Sequence, residues 1–201
     1  MAITHGYVTL TELKSRIGDR ADRTADETAL EHVIEAASRH VDRVCNRRFY
    51  LDDAVSARLF EGGHQVLFVD DIGTLTGLVV KTDDDLDGDG DTTITATDYQ
   101  AQPPRALVEG RPVTMLRHAT CWPVVRCGWA AIEVTAKWGW PEVPVDIKEA
   151  TLILANKLWT QRWSPGVVIG SSIDGMPEVL SGDDRKMFWT LVSPFRQIAI
   201  A

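Results

Sequence analysis

The sequence predicts an α+β fold: a small α-helical bundle core, an inserted antiparallel β subdomain and a flexible C-terminal arm. Three observations predict it. Apolar residues recur at three- and four-residue spacing before residue 50 and after residue 144; between them the period becomes strand-like; and a Gly/Ser-containing stretch follows residue 166. The expected boundaries are a helical core of residues 1–53 and 141–165, a β subdomain of residues 54–140, and an arm with a short helix over 166–201. With 201 residues, 44% hydrophobic and 25% charged, the chain is long enough to bury a core.

The first element expected is a short helix from Thr9 to Ile17, capped by Thr9 or Thr11, burying Leu10, Leu13 and Ile17 and ended by Gly18. A longer helix from about Ala25 to Arg47 follows, with Leu30, Val33, Ile34, Ala37, Val41, Val44 and Cys45 on one face. Its other face carries Arg39, Arg43 and Arg47 at steps of four, joined by Arg48, with Glu35 one turn before Arg39. That stripe reads either as a solvated face or as one turned to a partner or a phosphate.

From Ala54 the pattern predicts strands at Ala57 to Phe60, Val66 to Val69, Leu75 to Thr82, Thr92 to Tyr99, Val113 to Arg117 and Ala131 to Trp138. Gly62-Gly63, Asp70-Asp71-Ile72-Gly73, the acidic loop, Pro103-Pro104 and Gly110 read as the turns between them. Asp146 and Glu149 match a capping box, so a helix buried on more than one side is expected from there to about Trp163, stopped by Ser164-Pro165-Gly166. A last short helix is expected at Asp183 to Leu191, before Pro194.

Charge narrows the function classes. The net charge is −8, and residues 51–100 hold twelve acidic and two basic side chains while the other quarters are nearly balanced. One acidic face fits this distribution and a general DNA-binding surface does not. No stretch approaches the ~20 apolar residues of a membrane span, so a soluble protein made in the cytoplasm is expected. Cys45, Cys121 and Cys127 form an odd set without a CxxC or a histidine pair, which argues against disulfides and zinc and for buried, reduced thiols.

The most chemical-looking segment is Asp83 to Asp91. Asp85, Asp87, Asp89 and Gly90 reproduce the first half of a calcium loop, with Asp91 as a further oxygen donor, but the twelfth position is Ala96 where a bidentate glutamate belongs. A plain acidic turn and a weak calcium site both fit, and the second would make the chain a calcium-dependent binding module working through Asp85–Asp91. The five histidines sit in no catalytic spacing, and no phosphate-binding glycine loop is present, so an enzyme is not expected. Seven tryptophans, all after residue 120, fit either core packing or surfaces covered by assembly.

The run Trp138-Gly139-Trp140-Pro141, a short spacer, then Pro144-Val145-Asp146-Ile147-Lys148-Glu149-Ala150 entering an apolar helix, resembles the head–tail connector (adaptor) proteins of long-tailed, siphovirus-type phages. Tyr7 to Lys14 with Val44 to Phe49 is similar to the family's opening two helices, and the Asp-Gly hairpin before Asp98-Tyr99 to its insertion; the likeness covers most of residues 5–165. The resemblance implies a structural virion protein at the head–tail joint, assembled in the host cytoplasm. It implies a homo-oligomeric ring of about twelve subunits that binds the portal protein after DNA packaging. Such a ring extends the DNA channel without binding DNA specifically, and offers a platform for a head-closure or tail-terminator protein. Carried to this chain, it makes Met187, Trp189 and Phe195 expected portal contacts and Arg39, Arg43 and Arg47 an expected subunit interface. The β insertion becomes an outward or tail-facing surface, and the acidic hairpin a candidate rim of the channel. No cofactor is expected beyond the possible calcium.

Overall fold

The computed structural model describes residues 4–18, 27–124, 129–161 and 182–197. Among the described residues four α-helices and six strands, the strands joined in one antiparallel sheet, make the fold α+β. The chain divides into two compact units, Met1–Phe49 with Val143–Ala201, and Tyr50–Glu142. No described helix is long and apolar enough to cross a membrane.

The first unit holds α1 (Leu10–Ile17), α2 (Glu27–Cys45), α3 (Val145–Gln161) and α4 (Gly182–Val192). A reciprocal capping box starts α1: the Thr9 hydroxyl accepts the Glu12 N–H at 3.2 Å and the Glu12 carboxylate accepts the Thr9 N–H at 2.6 Å. Leu13 is fully buried. Along α2 the buried residues Leu30, Ile34, Ala37, Val41 and Cys45 keep the helical period read from the sequence. The helix closes at Cys45 because Asn46 turns left-handed at φ +52°. Arg47 and Arg48 therefore lie beyond its end.

Tyr7 fastens the segment before α1. Its hydroxyl donates to Asp42 and accepts the Phe49 N–H at 2.9 Å, and its own N–H donates to the Ser38 hydroxyl at 3.1 Å. Burial, with the Asp42 bond adding to it, pushes the phenol far above its ordinary pKa. Helix α3 is buried at Ile147, Ala150, Thr151, Ile153, Leu154, Ala155 and Trp159, and touches α1, α2 and α4. It begins at Val145, so Asp146 lies inside the first turn and is not the cap. Residues 166–181 of the expected arm lie outside the described residues. Residues 182–197 pack: Phe188 and Val192 are fully buried, the Gln197 N–H donates to the Cys45 carbonyl at 2.9 Å, and the rings of Phe195 and Phe49 meet edge to face at 5.8 Å.

The second unit is the sheet, β1 (Ser56–Glu61), β2 (Val66–Thr82), β3 (Thr92–Thr93), β4 (Tyr99–Gln102), β5 (Val113–His118) and β6 (Ala130–Trp138). The strand order is β1-β6-β2-β5-β4, with β3 on β2. One face encloses a core of Leu67, Ile72, Val80, Leu116, Trp122, Ile132, Val134 and Trp138 with their neighbours.

Two expectations fail here. Asp70 to Gly73 is no turn: β2 runs unbroken for 17 residues, pairing β5 up to Ile72 and β6 from Ile72 on, with its register shifting at each change. Those shifts bend the strand so that one segment serves both neighbours. Thr92 to Tyr99 is no single strand either. Pairing with β2 ends after Thr93, a turn closes between Thr95 and Asp98, and Tyr99 starts a strand that pairs β5 instead.

Candidate functional site

The Trp138-Gly139-Trp140-Pro141 run is a seam within the sheet unit. The Trp138 indole N–H donates to the Ser56 carbonyl at 2.8 Å, and the Trp140 indole to the buried Asp71 carboxylate at 3.1 Å. Between them the Gly139 N–H donates to the Asp71 carbonyl at 2.7 Å, while Leu51 bridges to Gly139 from the other side. Only a glycine fits there: φ is +110°, and a Cβ would stand 1.8 Å from the Tyr50 carbonyl oxygen. Gly73 is packed as closely, its missing Cβ falling 2.3 Å from Leu51 Cδ1. The Trp138-Gly139-Trp140 run thus ties the two ends of the sheet unit together.

The acidic loop is built around Asp83, which is 1% exposed. Its carboxylate accepts the N–H groups of Leu86 (2.7 Å), Asp87 (3.2 Å) and Gly88 (3.0 Å), folding the loop back on itself. Asp85 in turn accepts the Asp87 N–H and Asp87 the Asp89 N–H. The loop lies against the sheet, where the Gly90 N–H donates to Glu133 at 3.2 Å.

Among the described residues, Asp83, Asp85 and Asp91 bring carboxylate oxygens within 4.8 Å of one another. Two of the expected four ligands, Asp85 and Asp91, belong to this group; Asp87 and Asp89 do not, and Asp83, not among the four, does. The Asp85 carboxyl is held above its ordinary range: the Asp87 N–H bond pulls it down, but desolvation and the charges of Asp87, Asp91 and Asp83 outweigh it. Calcium takes six to eight oxygens; these three carboxylates would supply part of such a set, and the Asp83 carboxylate already accepts three N–H groups.

Elsewhere, an open cleft of about 310 Å³ lies beside Tyr99, Asp98, Arg117 and His118 at the β4 edge. Its polar groups are engaged locally, Arg117 with Gln65 at 3.3 Å and His118 Nδ1 with the Thr120 N–H at 3.2 Å.

No protein family matches the chain, and no curated protein does. Solved structures match it along its whole length. A chain in the neck of an empty gene transfer agent particle, solved with C6 symmetry, superposes with a TM-score of 0.60 at 17% identity, covering 100% of this chain and 95% of that one. A chain in the neck of the native particle, solved with C12 symmetry, gives 0.58 at 14%, covering 100% and 94%. One in the virion of the native particle gives 0.57 at 17%, covering 100% and 95%. The chain shares the fold of these chains.

Within that fold the expected contact residues are differently placed. Arg43 is exposed on α2, whereas Arg39 is half-buried, bonded to the His5 carbonyl at 2.9 Å and to Asp42 at 2.9 Å. Arg47 lies outside the helix, so the four-step stripe stops at Arg43. On the last helix Met187 is 49% exposed, Trp189 is half-buried beneath the Arg196 guanidinium, and Phe195 is half-buried against Phe49. Trp122, Trp138, Trp140 and Trp159 are core residues, Trp129 is exposed, and Trp163 lies outside the described residues. Of the cysteines, Cys45 is buried and Cys127 lies outside the described residues; Cys121 is exposed, against expectation, because it precedes a loop whose buried anchor is Trp122.

Proposed function

We propose that this chain is a structural subunit of the head–tail connector, present as a cyclic ring of about twelve copies in the neck of a phage-like particle. The observation that carries the reading is the end-to-end fold likeness to neck chains, 100% of this chain on 94–95% of theirs, in particles solved with C6 and C12 symmetry. In this reading the ring docks on the portal protein once DNA is packaged, extends the channel, and gives a head-closure or tail-terminator protein its platform. It performs no catalysis and needs no cofactor. Met187, Trp189 and Phe195 form the portal contact, and Arg39, Arg43 and Arg47 belong to the subunit interface. The net negative charge suits a conduit, since a basic lumen would grip the phosphates it must let pass.

The test is electron microscopy of particles made with the gene inactivated. The reading requires unjoined tails beside heads that have lost their DNA, and rescue when the protein is supplied; intact virions would refute it. The Asp83, Asp85, Asp91 cluster favours one rival, a calcium-dependent binding module. Calorimetry separates the two, because micromolar calcium binding would support the rival and heatless titration the connector.

A further inference from the structure

The sheet unit has a second face, opposite its core, that the protein leaves partly bare. Strand registers put Leu59, Glu133 and Lys81 in one row across β1, β6 and β2, and Ala57, Thr135 and Val79 in the next. Val55, two residues before Ala57, continues the β1 side, and a Cβ on Gly77 would stand 3.0 Å from its Cγ1. The alternate residues Phe60, Val80, Ile132 and Val134 point into the core. Three aliphatic side chains of this outer face are exposed together: Val55 by 49%, Leu59 by 41% and Val79 by 37%. A cluster of this kind on one sheet face marks an interaction surface.

Its rim defines what can cover it. The loop from Asp83 to Asp91 folds onto the same face beside Lys81 and Glu133, and exposes Asp84, Asp85, Asp87, Asp89 and Asp91 next to the aliphatic residues. The occupant must therefore offer a small apolar centre flanked by cations. The exposed side of α2 offers this, with Ala36 and Arg43 exposed and Arg39, already paired with Asp42, between them, all on the side away from the buried Leu30, Ile34 and Val41. A cyclic ring joins two different surfaces of neighbouring copies, and these two are complementary in charge.

We infer that the outer face of the β1-β6-β2 sheet of one copy docks on the Ala36–Arg43 side of α2 of the next, with the aliphatic residues over Ala36 and the acidic loop beside Arg43. The inference rests on the ring reading above and names the two surfaces that close the ring. A contact of this kind is heterologous, each copy using its sheet unit toward one neighbour and its helix toward the other.

Cross-linking within assembled particles tests it. In a Cys121→Ser, Cys127→Ser background, Leu59→Cys and Ala36→Cys are introduced together, and particles are treated with a flexible bismaleimide. The expected result is a ladder of this protein from dimer up to the complete ring, while particles built from a mixture of the two single variants give dimers and no ladder. Particles that carry the protein as a ring in the neck yet yield no ladder would overturn the inference and leave the connector reading standing. Cross-linking of the Leu59→Cys variant to a different neck protein would do the same, giving the sheet face to another partner. Absence of the protein from particles that are otherwise complete would overturn the connector reading, and this inference with it.

Discussion

Gly139→Ala asks whether the seam at the ends of the insertion is as tight as the structure makes it. A methyl group there would lie 1.8 Å from the Tyr50 carbonyl oxygen, 2.8 Å from its carbon and 3.1 Å from Leu51 Cα. All three are backbone atoms, so no side chain can swing away, and the strand or the Tyr50–Leu51 segment must move. Movement would break the Leu51–Gly139 bridge and weaken the Asp52 N–H to Trp138 carbonyl bond, 2.8 Å, and the Gly139 N–H to Asp71 carbonyl bond, 2.7 Å. Two such bonds at about 1 kcal/mol each, with about 1–2 kcal/mol for a non-glycine residue at positive φ, bring the loss to about 3–4 kcal/mol. In a chain of this length that is a fall in Tm of about 10 °C. Gly110→Ala is the control: its φ is +68°, but nothing lies within 4 Å of the added methyl group, so only the strain of about 1–2 kcal/mol remains. Urea and thermal unfolding followed by circular dichroism read both. Equal losses for the two variants would refute the reasoning, because the close approach of Tyr50 would then contribute nothing.

Asp83→Ala removes the acceptor of three loop N–H groups and should loosen the hairpin by about 2 kcal/mol, measured as more than tenfold faster amide exchange at Leu86, Asp87 and Gly88 with the sheet core unchanged. Tyr7→Phe leaves the Phe49 N–H and the Asp42 carboxylate without their shared hydroxyl and should cost about 1–3 kcal/mol in urea unfolding. The bonds from the Thr9 N–H and then the Thr9 hydroxyl hold the Glu12 carboxyl below its ordinary range. Its stabilisation is therefore present above the unfolded-state pKa and lost as pH falls through the lower folded one. Thr9→Ala should cost about 1 kcal/mol at neutral pH and flatten that acid-side slope. Burial pushes the Cys45 thiol up to about 12, so alkylation at pH 8 should modify Cys121 in the folded protein and Cys45 only after unfolding, with peptide mass spectrometry as the readout.

Much of the fold was legible because local chemistry decides it. The Thr9–Glu12 pair sets the start of α1 wherever the helix packs, and the period of Leu30, Ile34, Ala37 and Val41 needs one apolar side whatever lies against it. The alternation along Ala131 to Trp138 identified a strand for the same reason. The candidate site was less legible. Asp85, Asp87, Asp89 and Asp91 stood out as a series, but Asp83 organises the loop, and its importance depends on being buried while its neighbours are exposed.

The amino-acid sequence by itself determined the mixed helix-and-strand character of this protein, the concentration of its acidity in one quarter, and the Trp-Gly-Trp-Pro run that marks its resemblance. Those properties live in spacing and composition, which chain order carries directly. Tertiary structure alone decided that Asp70 to Gly73 continues a strand, since only pairing with β5 on one side and β6 on the other makes extended backbone there better than a turn. It also decided that Arg47 leaves the arginine stripe and that Leu59 and Val79, distant in the chain, share one exposed face. Register and burial are relations between segments, and no single segment contains them.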